Sequence, residues 1–400
     1  MFGSRAIVTV SLSLLCSMSA VSAADLRALN TGTPPTNAEP QDDQTISAID
    51  ELTNTAVPKQ AAASLTIGIV RDGSLNWSKS YGYADMERQI PANTHTVYRI
   101  ASVTKLFTAL MLLQLVQDGK VNLSDPVEKY FPEINTVKNR YSSAPPITLM
   151  QLATHTSGLA REPQNPRKYT IGPVADWERI LIEALKDTKY DFEPGTGFHY
   201  SNIGYAVLGT ALGRAAHQPY TEYVRQHIFE PLGMTHTAFE ADHRMIALLA
   251  KGYVVQKSGE VDWSQAEQER EQGRGYKVPN GAVYTTVGDL AKFIVFELGG
   301  GPATVLRSEA LQQNFQRIIT TNEDFSSGSG VGYEVLRQCN LVYFGHQGSM
   351  AGYEADAFFN RPTKSGVILL HNAVGDPFDD EEFTLKIFEK LTGACEHRSP

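Results

Sequence analysis

The chain has 400 residues, of which 42% are hydrophobic and 20% are charged, a composition that is typical of a globular protein with one large or two medium domains. The formal net charge is -9 and no lysine- or arginine-rich run occurs. This charge balance argues against nucleic acid or an anionic membrane as the main partner, because either would need a concentrated basic face.

The first 23 residues have the features of a cleaved export signal. Arg5 precedes an apolar segment that is short for a membrane span, and the small residues VSA end at Ala23. We expect cleavage near Ala23, export to the periplasm or the medium, and no integral membrane segment after cleavage. A retained membrane anchor is the alternative interpretation.

Residues 24–44 are polar and contain prolines, which predicts a disordered arm. The folded domain is expected to span residues 45–400. Two β-rich runs flank the Asp72-Gly73 pair and indicate a hairpin. An apolar helical run, RIASVTKLFTALMLLQLVQDGK, follows the hairpin and has Ser102 near its start.

The segments LVYFGHQG, GYEADAFFN and SGVILLHNAV predict three further strands joined by short turns. A helix is expected after them, because four apolar residues recur at helical spacing, namely Phe383, Ile387, Phe388 and Leu391. Between the two β-rich ends, segments such as DWERILIEALKD have helical periodicity. We therefore predict an α/β (α+β) fold with a sheet subdomain, about residues 45–120 and 280–400, and a helical subdomain at about residues 121–279.

Three short motifs mark the candidate chemistry: S-x-x-K at Ser102 to Lys105, Y-x-N at Tyr200 to Asn202, and H-x-G at His346 to Gly348. Residues three apart share a helix face, so Ser102 can contact Lys105. Each motif alone is weak because short patterns recur by chance. In that alternative, Ser102 is a helix cap, Tyr200 a packed aromatic residue and Asn202 a second cap.

Taken in this order, the motifs make the chain resemble the serine β-lactamase and penicillin-binding DD-peptidase superfamily. The resemblance is to the branch with class C β-lactamases, soluble D-Ala-D-Ala carboxypeptidases, D-aminopeptidases and β-lactamase-like esterases. The phrases ATHTSGL, FHYSNIGYAVLG and PNGAVYTTVGDLAKF match as well, over a region from about Thr45 to Gly393. The resemblance implies an antiparallel sheet flanked by helices, an inserted all-helical region, and an active site in the cleft between them.

A serine hydroxyl is a poor nucleophile until a base removes its proton. Lys105 is one candidate base for Ser102, provided that burial lowers its pKa, and Tyr200 is the other, as a phenolate beside the lysine. The sequence leaves this choice open. The backbone N–H groups of Ser102 and Ser349 are expected to bind the oxyanion, and Asn202 is expected to orient the substrate and Lys105.

His346 and Gly348 are expected to contact the substrate from a strand. His346 stands where many β-lactamases have the lysine of K-T-G, and a histidine is mostly neutral at pH 7. The sequence therefore weakens the expectation of a substrate with a carboxylate at this position. His155, in ATHTSGL, is interpreted as a structural histidine rather than a catalyst.

These observations predict an exported serine hydrolase that forms an acyl-enzyme on Ser102 and acts on β-lactams or D-amino-acid peptides. An esterase or transesterase is the first alternative, which His346 favours, and a slowly acylated penicillin-binding sensor protein is the second. The sequence has no H-E-x-x-H, no P-loop and no G-x-S-x-G, so neither a metal nor a cofactor is expected. The expected partner is a small-molecule or peptide substrate.

Two cysteines follow the expected cleavage site, which argues against a disulfide framework or a cysteine metal site. Cys339 precedes the strand that carries His346, and Cys395 follows the C-terminal helix that is expected to pack on the same sheet. In an oxidising compartment the two can pair. Two unpaired thiols are the alternative.

Overall fold

The computed structural model describes most of the chain, namely residues 41–60, 63–138, 141, 144–315, 319–320 and 326–394. The predicted signal, residues 1–23, and most of the predicted arm lie outside this part, so both stay predictions. The folded region begins earlier than predicted, because a helix starts at Gln41 rather than the fold starting near Thr45. Its first turn, QDDQ, is polar and has the same composition as the arm.

Twelve α-helices occur in the described ranges: α1 Gln41–Gln60, α2 Thr104–Gln117, α3 Leu149–Ala153, α4 Trp177–Leu185, α5 Asn202–Ala216, α6 Tyr220–Val224, α7 His243–Ile246, α8 Ser264–Gln272, α9 Val278–Gly281, α10 Val287–Val295, α11 Ser308–Asn314 and α12 Asp380–Thr392. None of the helices described is both long and apolar enough to span a membrane.

The described strands are β1 Ser64–Arg71, β2 Ser74–Asp85, β3 Ile90–Pro91, β4 Tyr98–Arg99, β5 Tyr253–Val255, β6 Val261–Asp262, β7 Tyr284–Thr285, β8 Ile319–Thr320, β9 Ser327–Ser329, β10 Glu334–Gln338, β11 Leu341–Met350, β12 Tyr353–Asn360, β13 Ser365–His371 and β14 Ala373–Val374. Nine of them form an antiparallel sheet in the order β3-β2-β1-β13-β12-β11-β10-β9-β8.

Both ends of the chain build this sheet, as the sequence predicted. Strands β1 and β2 form the predicted hairpin, in which Asp72 has a φ of 47° and Gly73 a φ of 81°. Two consecutive residues with positive φ match the twist of a two-residue hairpin. In the centre of the sheet β1 pairs with β13, for example Ile67 with Leu369. The mixed α/β architecture with an antiparallel sheet is therefore confirmed.

Helices cover both faces of the sheet. On one face, Leu65 and Leu369 pack against Ile49 of α1 and against Ile387 and Phe388 of α12. Full burial of a side chain of this size stabilises the fold by about 1.5–3 kcal/mol. The predicted C-terminal helix is confirmed, and its apolar stripe faces the sheet. The opposite face packs against α10 and the helical region.

Helix α2 occupies the centre of the molecule, with every residue from Thr104 to Leu115 buried. A helix that is apolar on all sides must be covered on all sides, and α2 lies between the sheet and helices α5 and α9. Residues 121–279 were expected to be all-helical, but this region also contains the short strands β5 and β6. The apolar run Tyr253–Val255 pairs with β14 at the side of the sheet, which explains the difference.

Cys339 is disulfide-bonded, whereas Cys395 lies outside the described residues, so pairing between these two stays a prediction. That bond would close a loop of more than fifty residues and is expected to stabilise the fold by about 2–4 kcal/mol. Titration of the denatured, unreduced mature protein should then detect no free thiol. Two titratable thiols would exclude the pairing.

Candidate active site

Ser102 lies in a 3₁₀ turn, Ala101–Val103, that leads directly into α2. The sequence predicted that Ser102 opens the α-helix, but the α-helix itself begins at Thr104. Ala101 has a φ of 44°, a left-handed conformation that costs a non-glycine residue about 1–3 kcal/mol. The turn leaves the side chain of Ser102 partly exposed at the end of a buried helix.

Lys105 lies in the first turn of α2 and is completely buried. Its Nζ donates hydrogen bonds to Oγ of Ser102 at 3.0 Å, to Oδ1 of Asn202 at 2.9 Å and to the carbonyl oxygen of Asn280 at 3.0 Å. The first of these is the contact that the three-residue spacing predicted. The other two connect α2 with the N-terminus of α5 and with α9.

The orientation of the Asn202 amide is determined by Glu162. Nδ2 of Asn202 donates to Oε1 of Glu162 at 2.7 Å, so its Oδ1 faces Lys105. Glu162 is held in turn by Nζ of Lys277 at 2.9 Å and by the hydroxyl of Tyr276. Asn202 therefore reaches Lys105 as a hydrogen-bond acceptor only.

Opposite pKa shifts distinguish the two candidate bases. Burial lowers the pKa of Lys105 well below its usual 10.5, because desolvation of the ammonium outweighs its attraction to Glu334. Burial raises the pKa of Tyr200 well above its usual 10.0, and a hydrogen bond with Ser102 only partly offsets this. These shifts disfavour a Tyr200 phenolate and favour the neutral amine of Lys105.

The ring of Tyr200 lies against a histidine and two basic side chains. His155 stacks on it with ring centroids 4.3 Å apart, and Nζ of Lys105 and Cζ of Arg161 lie 4.7 Å and 4.8 Å from its centroid. Nδ1 of buried His155 accepts the backbone N–H of Ser201 at 3.0 Å, and burial lowers its pKa well below 6.5. A neutral, hydrogen-bonded His155 that supports Tyr200 agrees with its structural interpretation.

His346 lies on β11 with 2% of its surface exposed. Its Nδ1 lies 2.5 Å from the carbonyl oxygen of Gln347, which places the ring hydrogen on Nδ1, and 3.6 Å from Oε2 of Glu334. Burial, together with the charge of Lys105, lowers the pKa of His346 to about 3. The imidazole is therefore neutral at pH 7 and offers no cation to a substrate.

Strand β11 continues past the last residue that pairs with β10, so this part of β11 has an open backbone edge. The last pair between the two strands joins Glu334 to Gly345. Further along β11, the N–H of Gln347 points to the β10 side, where it donates to Oε2 of Glu334 at 2.9 Å. Residues two apart in a strand direct their N–H groups to the same side. The N–H of Ser349 therefore points to the open edge.

Gly348 lets this edge lie directly on the turn of Ser102. A Cβ at this position would lie 2.2 Å from the carbonyl oxygen of Ile100 and 3.0 Å from the nitrogen of Ser102. The two predicted oxyanion donors, on Ser102 and Ser349, thus belong to backbone segments that touch each other.

Gly348→Ala is expected to push β11 away from the turn, because the new methyl group would overlap backbone atoms. We expect a loss of about 1–3 kcal/mol in the free energy of unfolding and acylation that is slower by about tenfold or more. Thermal unfolding and the rate of probe labelling measure both effects. Gly288→Ala in α10 is the matched control, because its Cβ would meet no atom closer than 3.9 Å. Equal behaviour of the two variants would contradict the close contact.

A pocket of about 230 Å³ opens beside Tyr200 and His346. Most of its wall is apolar or aromatic, with Phe198, Tyr205, Tyr333, Val335 and Leu336. Two carboxylates, Glu334 and Glu381, also line it, whereas no lysine or arginine of the described residues does. Burial raises the pKa of Glu334 to about 7. The pocket is thus suited to an apolar group and to a neutral or positively charged one.

Three residues of the site were not predicted from the sequence, namely Glu162, Asn280 and Glu334. Asn280 belongs to the PNGAVYTTVGDLAKF stretch, so a signal for it was present. Its Nδ2 donates to the carbonyl oxygen of Asn202 at 2.9 Å. Glu162 and Glu334 belong to no recognisable motif, and only the folded chain brings them to Lys105.

The sequence is similar to a family model and to several known proteins. The Beta-lactamase family model matches residues 43–391. Beta-lactamase-like protein 2 of Dictyostelium discoideum is 31% identical over 357 residues, which are 86% of this chain and 63% of that protein. Protein flp of Staphylococcus aureus strain MRSA252 is 28% identical over 345 residues, 86% of this chain and 65% of that protein. The chain thus spans less than two thirds of the length of these relatives.

Solved structures of other proteins have a fold similar to that of this chain. A penicillin-binding protein homologue from Pyrococcus abyssi, described as octameric, superposes with a TM-score of 0.74 at 24% identity, over 88% of this chain and 78% of that one. The D-amino acid amidase of Ochrobactrum anthropi superposes with a TM-score of 0.71 at 23% identity, over 89% of this chain and 100% of that one. The fold and the family match over residues 43–391 together confirm the resemblance: this chain belongs to the Beta-lactamase family, within the serine β-lactamase and transpeptidase superfamily.

Proposed function

We propose that this protein is a serine hydrolase that forms an acyl-enzyme on Ser102. The observation that carries the proposal is the 3.0 Å hydrogen bond between Oγ of Ser102 and Nζ of a completely buried Lys105. In the first half-reaction, Oγ bonds to the substrate carbonyl carbon while its proton passes to Nζ. The bond to the leaving group then breaks, and the leaving group takes up a proton. Water hydrolyses the resulting ester and regenerates Ser102.

Lys105 is the general base in this proposal. A neutral lysine has two N–H groups and one lone pair, and two of the three contacts of Nζ are with pure acceptors, Oδ1 of Asn202 and the carbonyl oxygen of Asn280. When these two take the N–H groups, the lone pair faces Oγ of Ser102. The lowered pKa of Lys105 supplies the neutral form.

Tyr200 acts as a proton donor, because its raised pKa keeps the phenol protonated. Tyr200→Phe is expected to slow acylation by about 10²–10⁴, the usual effect of losing a positioned proton carrier, and the stacking on His155 should persist. Single-turnover acylation rates test this. Tyr83→Phe is a suitable control, since Tyr83 is 45% exposed. A rate within about twofold of wild type would remove Tyr200 from the mechanism.

The oxyanion is stabilised by the backbone N–H groups of Ser102 and Ser349 in this scheme. Such donors are effective because they are already oriented before the charge develops. The contact of Gly348 with the turn of Ser102 supports this assignment, since it brings both backbone segments to one place.

For the substrate, we propose an amide or ester whose leaving group carries no carboxylate near His346. The imidazole there is neutral, and Glu334 and Glu381 line the adjacent pocket. These groups favour an apolar side chain and a free ammonium, as in an amino-acid amide. D-amino-acid derivatives are preferred in this proposal, because two solved structures with the same fold are described as a D-amino acid amidase and a D-stereospecific amidohydrolase.

An esterase is the second candidate, and the same neutral His346 favours it. Four substrates distinguish the classes when compared in parallel: a D-phenylalanine amide, a short-chain nitrophenyl ester, a D-Ala-D-Ala peptide and a chromogenic cephalosporin, each with Ser102→Ala as control. We expect kcat/KM for the amide or the ester to exceed that for the two carboxylate-bearing substrates by about tenfold or more. Faster turnover of the cephalosporin would contradict this specificity, and stable penicillin labelling without turnover would identify a sensor protein.

We also propose that the protein is exported, on the basis of its first 23 residues. N-terminal sequencing of the protein recovered from the cell envelope or medium should begin just after Ala23. An intact N-terminus on cytoplasmic protein would contradict export.

A further inference from the structure

Five ionisable side chains meet where β12, β13 and α12 converge, namely Glu354, Asp356, His371, Asp376 and Asp380. Four of them are almost completely buried: His371 is 0% and Asp356 2% exposed, Asp380 is 8% exposed, and the side chain of Asp376 is 1% exposed. Glu354 is partly exposed and connects the cluster to solvent. The cluster takes no part in the chemistry proposed for Ser102.

The cluster contains more negative than positive charge. Four carboxylates surround a single imidazole, and no lysine or arginine of the described residues forms an ion pair with Glu354, Asp356 or Asp380. Burying carboxylates without a compensating cation is unfavourable. A cation bound at this position would offset part of the excess negative charge.

The unused atoms of the cluster converge. Neither oxygen of the Asp380 carboxylate has a hydrogen bond of acceptable geometry among the described residues, and neither does Nδ1 of His371. Nε2 of His371 is directed to Asp376 instead. One ligand atom each from Glu354, His371 and Asp380 lies within 4.8 Å of the others. Ligand atoms held about 2.0–2.3 Å from one metal ion end about 3–4.5 Å apart, so a small contraction completes the coordination.

His371 is placed like a metal-binding histidine whose second ring nitrogen faces a carboxylate. Its Nδ1 lies 3.6 Å from Oδ2 of Asp380, and its Nε2 lies 3.2 Å from Oδ2 of Asp376. A ligating histidine commonly directs its other N–H to a carboxylate, which fixes the tautomer and the ring orientation. In this arrangement Nδ1 binds the ion and Asp376 holds Nε2–H.

We propose that Glu354, His371 and Asp380 bind one divalent transition-metal ion of the zinc and manganese class. An imidazole nitrogen beside two carboxylates suits these ions, whereas Ca²⁺ and Mg²⁺ prefer oxygen ligands throughout. The three ligands come from β12, β13 and α12, so no local sequence motif announces the site. A metal was not expected from the sequence, which has no H-E-x-x-H and too few cysteines for a cysteine metal site.

The bound ion is also connected to β11, the strand that carries Ser349. Glu354 is the cross-strand partner of Ser349, and its Oε1 accepts a hydrogen bond from Oγ of Ser349 at 3.3 Å. An ion on Glu354 therefore fixes the β11–β12 hairpin, whose edge carries the Ser349 N–H. The role of the metal is structural, and it stabilises the folded state because the unfolded chain does not assemble the site.

Metal binding to the tag-free, full-length mature protein tests the proposal. After chelator treatment and dialysis, the protein is titrated calorimetrically with Zn²⁺, Mn²⁺ and Ca²⁺, and its metal content is measured by elemental analysis. We expect one equivalent of Zn²⁺ or Mn²⁺ per chain, weaker binding of Ca²⁺, and a Tm that rises with metal concentration. Glu354→Gln and Asp380→Asn should each weaken binding by about tenfold or more. Glu382→Gln, on the exposed side of α12, should bind like wild type.

Circular dichroism establishes that each variant is folded. If the ligand variants do not fold, the wild-type protein decides the question through its stoichiometry and through the visible absorption of a Co²⁺ form. The proposal is overturned if wild type binds no ion at about 100 µM free metal, because His371 is then an imidazolium paired with Asp376 and Asp380. It is also overturned if folded Glu354→Gln and Asp380→Asn retain wild-type affinity.

Discussion

Ser102→Ala is expected to abolish covalent labelling by a fluorophosphonate or penicillin probe and to reduce turnover of every substrate to background. In the proposed mechanism Oγ of Ser102 is the atom that becomes acylated, and no other hydroxyl hydrogen-bonds to Nζ of Lys105 among the described contacts. The fold should persist, because Ser102 is partly exposed and fills no core volume. Losing one hydrogen bond costs only about 0.5–1.5 kcal/mol.

Intact-mass spectrometry after incubation with the probe measures the labelling directly, and thermal unfolding verifies the fold. Ser308→Ala at the exposed start of α11 is the matched control and should be labelled like wild type. Undiminished labelling of Ser102→Ala would refute the assignment of the nucleophile. Peptide mapping would then locate the residue that reacts.

Lys105→Met is expected to slow acylation by about 10²–10⁴. Methionine fills a similar volume in the buried position but has no lone pair on nitrogen with which to accept the proton of Ser102. Lys105→Arg should be equally impaired, because a guanidinium stays protonated in proteins. Single-turnover acylation rates report the effect, with Lys390→Met on α12 as the control on an exposed lysine. Acylation within about twofold of wild type in folded Lys105→Met would exclude the lysine as base.

The pH dependence of acylation tests the same assignment. Because the neutral amine of Lys105 is the active form, the rate should rise with pH through a pKa well below 10.5 and then level off. Glu334 has a pKa of about 7 and adds a second ionisation near neutrality. Glu334→Gln should remove that step and lower the pKa of Lys105 further, since the carboxylate of Glu334 raises it. A rate of the Glu334→Gln variant that falls as the pH rises from about 5 to 9 would contradict a neutral lysine as the base.

Local sequence patterns were sufficient to predict several of the secondary-structure elements. Asp72 and Gly73 predict a hairpin because a two-residue turn with positive φ favours those residue types, and the structure has φ values of 47° and 81° there. The helical spacing of Phe383, Ile387 and Phe388 likewise predicts α12, whose buried side faces the sheet. These features depend on residues a few positions apart, so a single sequence contains them.

The contact between Ser102 and Lys105 was equally local, because one helical turn separates the two residues. The polar start of α1 shows the limit of local reasoning. Its first turn is indistinguishable in composition from the preceding arm, and only the packing of Ile49 against the sheet makes this segment part of the fold.

The assignment of Lys105 as the proposed base depends on contacts that only the tertiary structure makes. Asn202 and Asn280, which take two N–H groups of Lys105, lie 97 and 175 positions away along the chain. Glu334, on β10 next to β11, is distant from Lys105 in the sequence but raises its pKa in the folded chain. Sequence motifs identify candidate groups, but a pKa depends on desolvation and on charges that are neighbours only in the folded chain. The sequence therefore left the choice between Lys105 and Tyr200 open. The burial of both side chains in the cleft favours Lys105 as the base.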